Sequence, residues 1–122
     1  MLIEFFIPGD FTTLNEHMAA ANSNRHQAAA IKRDETRRAT LAAREVPEIT
    51  EYPVDLYLTW YRSNKKSDPD NIAFAVKYIL DGLQIARVLK QDTWACVRTI
   101  AHEFHVDREN PGVMVTISKD IR

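Results

Sequence analysis

The sequence feature that most constrains the fold is an apolar pattern at helical spacing between Pro69 and Ala86. Large apolar residues recur there every three or four positions and define one face of a helix: Ile72, Val76, Ile79, Leu80 and Leu83. Such a face must be buried against another element, so this helix requires a sheet or a second helix to cover it. With 122 residues, the chain can supply that partner within a single domain, residues 1–122.

The strand patterns indicate what covers the helix. Residues Val54 to Tyr61 alternate between apolar and polar, which predicts a half-buried strand. Leu2 to Ile7 is a short apolar run that ends in a Pro-Gly turn, so it also predicts a strand. Trp94 to Val106 and Val113 to Ser118 are rich in strand-forming residues, and we expect them to pair as a hairpin.

A second helix is predicted before the central strand. From Asn15 to Arg44 the chain has no proline or glycine and is rich in alanine, which favours one long helix. The predicted element order is therefore β-α-β-α-β-β. This order indicates an α/β (α+β) fold in which two helices pack on a small mixed β-sheet.

Bulk composition excludes several classes of protein. The net charge of −1 provides no global field for nucleic acid, so any binding must come from local clusters. The single Cys96 rules out an internal disulfide and fits a reducing compartment. No apolar run approaches the roughly 20 residues that span a bilayer, and the N-terminus does not have the pattern of a signal peptide. We therefore expect a cytoplasmic protein with no membrane partner.

The predicted first helix carries a run of positive charge in its middle. Its basic residues are Arg25, Lys32, Arg33, Arg37 and Arg38, with Asp34 and Glu35 between them. Most charge runs of this kind are solvated surfaces. The alternative, a ridge that faces DNA, stays open.

The stretch Ser67–Asn71 carries the clearest candidate chemistry. Asp68 and Asp70 lie two residues apart at the start of the second helix, and Asp92 follows that helix. Carboxylates in this arrangement suit a hard cation such as Mg²⁺. Three basic residues nearby are suited to a phosphate backbone: Arg62, Lys65 and Lys66. A simpler interpretation also exists, because Asp68 is a favoured N-cap residue and Asp70 suits the positive first turn of a helix.

Two further groups of residues have side chains of the kind found in functional sites. Lys77 is either a phosphate-stabilising cation or half of a surface ion pair with Asp81, four residues later. His102 and His105 resemble a zinc pair in sequence, but on a strand they point to opposite faces. We therefore reject a zinc site at these histidines.

Together these residues resemble the RusA-type Holliday junction resolvases, small endodeoxyribonucleases often carried by phages and prophages. The resemblance lies in three runs: SDPDNIAFAVKYILDGL, then VLKQDTW, and an N-terminal strand leading to IPGDFTTLNEH. It covers nearly the whole chain in order of elements. The acidic run with its downstream aspartate is the more specific part.

The resemblance implies roles for individual residues. Asp68, Asp70 and Asp92 match the acids that the family uses for Mg²⁺, for which Mn²⁺ can substitute. Asn71 follows the paired acids as in the family motif, and Asn15 resembles an asparagine of the family's N-terminal loop; both are expected at the DNA.

The chain departs from the family pattern at two positions. The family's catalytic lysine follows the second acid by four residues, where this chain has Phe74, so Lys77 is the expected replacement. Gln91 stands where the family often has another acid. The resemblance also implies a homodimer, because symmetrical cleavage of a four-way junction needs two sites related by a two-fold axis.

The sequence therefore predicts a Mg²⁺-dependent endonuclease that cleaves Holliday junctions or other branched DNA in recombination and repair. Two alternatives stay open. The first is a non-catalytic DNA-binding or partner-binding module that keeps the fold. The second is a metal-dependent phosphohydrolase acting on nucleotides.

Overall fold

A computed structural model describes residues 1–119 of the chain as a four-stranded mixed sheet with helices packed against it. This confirms the predicted fold class. The strands are β1 (Leu2–Pro8), β2 (Val54–Arg62), β3 (Val97–Val106) and β4 (Gly112–Ser118). The helices are α1 (Leu14–Ser23), α2 (Arg25–Ala42), α3 (Pro69–Ala73) and α4 (Val76–Ile85).

The sheet has the strand order β1-β4-β2-β3, with β2 parallel to β3 and antiparallel to β4. Leu58 in β2 therefore faces Val115 on one side and His102 on the other. The predicted hairpin of the last two strands is wrong, because β2 lies between them. Parallel strands need a crossover connection, and the α3–α4 segment supplies it between β2 and β3.

The core lies between the sheet and the helices. One face of β2 is fully buried, as its alternation predicted: Val54, Leu56, Leu58 and Trp60. The apolar face of α4 meets the same cluster, with Ile79 and Leu83 at 1% exposure or less. Thr13 and Glu16 form a capping box at the start of α1.

Both predicted long helices are interrupted. Asn24 adopts an extended conformation between α1 and α2, and its side-chain oxygen accepts a hydrogen bond from the His26 N–H at 2.8 Å. Asparagine competes with helical hydrogen bonding in this way, so it ends one helix and caps the next. The second helix is divided at Phe74 and Ala75 into α3 and α4. The predicted strand from Trp94 begins only at Val97.

Helices α2 and α4 cross at Gly82. A Cβ atom added there would lie 2.6 Å from the Ala39 Cβ and 2.9 Å from the Thr40 backbone nitrogen, so a side chain at this position cannot be accommodated. This close approach places Lys32, Arg33 and Arg37 of α2 around the same groove as Asp81 of α4. The crossing of the two helices thus brings basic residues of α2 opposite an acidic residue of α4.

Candidate functional site

Lys77, Asp81 and Asp92 form an acid–lysine cluster that joins α4 to the segment that follows it. The Lys77 ammonium lies 3.1 Å from Asp81 Oδ1 and 3.6 Å from Asp92 Oδ2. Lys77 and Asp81 are one turn apart on α4, which is the spacing of a helical ion pair. The sequence predicted this pair, and the contact of Lys77 with Asp92 adds a second carboxylate from a distant part of the chain.

Asp92 reaches the cluster because the chain turns sharply after α4. Arg87 has a φ of 61°, and the N–H groups of Val88 and Leu89 both donate to the Leu83 carbonyl. Val88 and Leu89 are buried, which anchors the turn in the core. The residues that follow are thereby directed back along α4 toward Lys77.

The cluster keeps Lys77 positively charged. The hydrogen bond with Asp81 raises the pKa of Lys77 above its ordinary value, and the charges of Asp81 and Asp92 act in the same direction. Partial burial opposes this shift. The Lys77 side chain is half exposed, so it stays accessible to solvent while the two carboxylates hold it.

Asp68 and Asp70 flank the start of α3. Asp68 occupies the N-cap position, but its side chain makes no capping hydrogen bond. Both side chains are exposed, and neither makes a hydrogen bond or ion pair within residues 1–119. The capping interpretation of Asp68 is therefore not realised, and both carboxylates are available to a ligand.

The predicted three-acid metal site is not assembled in this structure. Residues 1–119 contain no group of three or more His, Cys, Asp or Glu side chains that could hold a metal ion. The convergence of Asp68, Asp70 and Asp92 thus stays a prediction. Two available carboxylates nevertheless suit Mg²⁺, which is commonly held by one or two carboxylates together with water and substrate phosphates.

Basic residues meet the acidic motif in a cleft of about 250 Å³ at the end of β2. Lys65 and Asp68 both line this β2-end cleft. Its remaining lining comprises Arg62, Asn64, Ser67, Pro69, Ile72, Phe104, His105 and Val106. Lys66, the third predicted basic contact, is exposed in the same loop.

Arg62 has a structural role in addition to its predicted contact with DNA. Its guanidinium donates to the Phe11 carbonyl at 2.9 Å, and its Nε lies 3.7 Å from Asp10 Oδ1. The side chain is largely buried by these contacts. Arg62 thus ties the N-terminal loop to the end of β2, and Lys65 and Lys66 are the freer cations.

The two predicted asparagines lie on different helices. Asn15 is exposed in the first turn of α1. Asn71 is half-buried in α3, and its backbone N–H donates to the Asp68 carbonyl at 3.1 Å. Phe74, at the position of the family's lysine, packs against the rings of His17 and Tyr78. An aromatic residue there belongs to the packing between the helices, and Lys77 is the first cation that follows Asp70 along the chain.

Sequence reasoning missed a groove between α2 and α4 of about 660 Å³. Three cations of α2 line this α2–α4 groove, namely Lys32, Arg33 and Arg37, and Asp81 lies in its opposite wall. Arg38, by contrast, turns inward and bonds Glu35 and the carbonyls of Pro8 and Asp10. The basic run was visible in the sequence. Which of its residues line the groove and which have structural contacts depends on how α2 crosses α4, and the sequence did not show that crossing.

The buried titratable groups have packing roles. Burial raises the pKa of Tyr78 to about 12, and its hydroxyl lies 3.2 Å from His17 Nδ1. Burial also lowers the pKa of His102, whose neutral ring accepts a hydrogen bond from the Trp60 indole N–H at 2.9 Å. His105 instead contacts Glu103 on the other face of β3. The two histidines therefore do not converge, as predicted.

Comparison with protein-family models and with curated proteins found no match for this chain. None of the helices in residues 1–119 is long and apolar enough to cross a membrane.

Proposed function

We propose that this protein is a divalent-metal-dependent endodeoxyribonuclease that cleaves branched DNA as a homodimer. The observation that carries the proposal is the acid–lysine cluster, in which Lys77 is held by Asp81 and Asp92 in the segment that follows Asp68 and Asp70. A metal ion held by carboxylates and a lysine cation can both stabilise the charge that develops on a phosphate during phosphodiester cleavage. The resemblance of the acidic run to the RusA-type resolvases supports the same reaction.

Each group has a distinct task in this proposal. Asp68 and Asp70 would hold Mg²⁺, and the ion would supply an activated water and neutralise charge on the scissile phosphate. Lys77 places a permanent positive charge at the same phosphate, where charge builds up in the transition state. Asp81 and Asp92 fix the direction of the Lys77 side chain and keep it protonated.

Replacement of Lys77 tests the proposal directly. We expect Lys77→Met to lower cleavage of a four-way junction in Mg²⁺ by about 10²–10³-fold, the usual effect of losing one group that stabilises developing charge. Lys77→Arg, which keeps the charge with a different shape, should retain part of the rate. Junction binding, measured by gel shift in Ca²⁺, should change little in either variant.

Lys90→Met is the matched control, because Lys90 is an exposed lysine in the turn before Asp92. It should cleave like the unaltered protein. Equal cleavage by Lys77→Met would contradict the assigned role. A protein that binds junctions but cleaves none in Mg²⁺ or Mn²⁺ is instead the non-catalytic module, and hydrolysis of free nucleotides would indicate the phosphohydrolase.

The α2–α4 groove predicts a salt-dependent contact with a DNA arm. Each phosphate contact contributes about 0.9 to the slope of log affinity against log salt concentration. We expect the Lys32→Gln/Arg37→Gln double variant to reduce that slope by about 2 for duplex-armed DNA. Fluorescence anisotropy at a series of salt concentrations measures the slope.

Arg25→Gln/Arg44→Gln is the control for this measurement. It removes the same charge from exposed residues at and beyond the ends of α2 that do not line the groove. Its slope should stay close to that of the unaltered protein. An equal decrease in both double variants would show that net charge, and not the groove, sets the affinity.

A further inference from the structure

Trp94 is almost fully exposed on an ordered turn. Its relative exposure is 97%, whereas that of the chain's other tryptophan, Trp60, is 1%. The turn is fixed because the N–H groups of Cys96 and Val97 both donate to the Thr93 carbonyl at 2.9 Å. Cys96 is buried and anchors the turn in the core. The indole is therefore presented to solvent from a backbone that is already in place.

The position of Trp94 links it to the acid–lysine cluster. Trp94 and Asp92 line one cavity of about 470 Å³, together with Arg98 from the start of β3. Asp92 is also the residue that contacts Lys77. Two residues of chain span at most about 7 Å between Cα atoms, so Trp94 and Asp92 are close neighbours on this turn.

We propose that Trp94 stacks on an unpaired nucleobase next to the phosphate that Lys77 contacts. This inference rests on the proposed function and adds a recognition step to it. An indole ring offers a flat face to any base, so stacking is tolerant of sequence. Bases inside a duplex are already stacked on their neighbours, so Trp94 selects DNA with unpaired bases, as occur at a branch point or in a single strand.

The chemistry of the surroundings favours a nucleobase as the occupant. The cavity places an aromatic face beside charged groups, with Arg98 and Asp92 in its wall. Arg98 is held by Asp55 at 2.7 Å, so its position is fixed. A nucleotide has a flat apolar base and an anionic backbone, and Trp94 and Arg98 match these two parts.

Intrinsic fluorescence of the full chain tests the proposal, since Trp94 is the exposed fluorophore and Trp60 is shielded. Titration with an unlabelled thymidine oligonucleotide in the absence of divalent metal should quench the emission in a saturable manner. Trp94→Phe should abolish the quenching but keep most of the affinity, measured by anisotropy of a labelled oligonucleotide. Trp94→Leu should lose about 5- to 150-fold in affinity for the single strand, the range expected for one stacked base.

Blunt duplex DNA is the matched control ligand, and Trp94→Leu should bind it like the unaltered protein. Because Trp94 is exposed, these variants should keep the Trp60 emission and the thermal midpoint of the unaltered protein. Unchanged single-strand affinity in Trp94→Leu would overturn the proposal. So would an absence of quenching combined with dissociation of a dimer in Trp94→Leu, which would assign the residue to a second copy of the chain.

The two proposals fail in different ways. Quenching and loss of affinity without any cleavage would leave Trp94 as a stacking residue and remove the nuclease. Cleavage that does not depend on Trp94, with no quenching by single strands, would leave the nuclease and remove the stacking residue. Failure to bind any nucleic acid would overturn both.

Discussion

Asp70→Asn is expected to lower cleavage of a four-way junction in Mg²⁺ by at least about 100-fold. Loss of a group that only orients a metal ligand lowers affinity or activity by about 10- to 100-fold, and Asp70 is proposed to be a ligand itself. Asparagine has the same shape as aspartate, and the Asp70 side chain makes no hydrogen bond or ion pair in the described part of the chain. Folding should therefore be affected by no more than about 1 kcal/mol, the contribution of a charge in the first turn of a helix.

The measurement is single-turnover cleavage over a range of Mg²⁺ and Mn²⁺ concentrations, with binding followed separately in Ca²⁺. Asp70→Asn should bind the junction normally and fail at cleavage. Glu48→Gln, which neutralises an exposed carboxylate far along the chain from the motif, should cleave like the unaltered protein. Equal cleavage by Asp70→Asn and the unaltered protein would end the proposed mechanism.

Asp81→Asn distinguishes an acid that positions Lys77 from an acid that binds the metal ion. If Asp81 positions Lys77, its loss leaves Asp92 to hold the ammonium, and cleavage should fall less than in Asp70→Asn. The Mg²⁺ concentration for half-maximal rate should stay unchanged in Asp81→Asn. A large rise in that concentration would instead make Asp81 a metal ligand.

The sequence predicted those parts of the fold that depend on local patterns. The apolar face of α4 and the alternation of β2 both fix which side chains are buried, and Leu83 and Leu58 are buried as expected. The break at Asn24 depends on a single residue within favourable helical sequence. The composition gave no sufficient signal for it, because a capping asparagine resembles an ordinary polar residue of a helix.

The order of the strands in the sheet could not be predicted from local sequence patterns. The short connection between β3 and β4 favoured a hairpin, but β4 pairs with β1 and β2 instead. In the observed order α3 and α4 connect β2 to β3, and the apolar face of α4 is buried in the core. The free energy gained by burying that face comes from contacts throughout the domain. The sequences of two neighbouring segments therefore do not show which strands pair.

In the candidate site, as in the fold, only the features that follow from local sequence spacing could be predicted. The i,i+4 spacing of Lys77 and Asp81 on one helix predicted their ion pair. The approach of Asp92 to Lys77 depends on the turn through Arg87 and on burial of the two residues after it. Trp94 was assigned to a strand, so its exposure on a turn had no signal in the sequence.

The ion pair of Asp55 and Arg98 connects the stability of the fold to the candidate site. Arg98 Nε and Nη2 donate to the two Asp55 carboxylate oxygens at 3.0 and 2.7 Å. The Asp55 side chain is 2% exposed and that of Arg98 is 34% exposed. This pair fixes the start of β3 to β2 directly after the turn that carries Trp94.

Arg98→Ala is expected to lower the free energy of unfolding by about 1.5–3 kcal/mol, because it removes the hydrogen bonds that this guanidinium donates to a buried carboxylate. Asp55→Ala should cost less, since water reaches the more exposed Arg98. Urea unfolding measures both, with the slope against urea concentration unchanged if the variants unfold in one step. Arg33→Ala is the matched control, because Arg33 pairs with Asp34 on the surface, and it should change stability by less than about 1 kcal/mol. Equal unfolding midpoints for Arg98→Ala and Arg33→Ala would contradict a stabilising role for the Asp55–Arg98 pair.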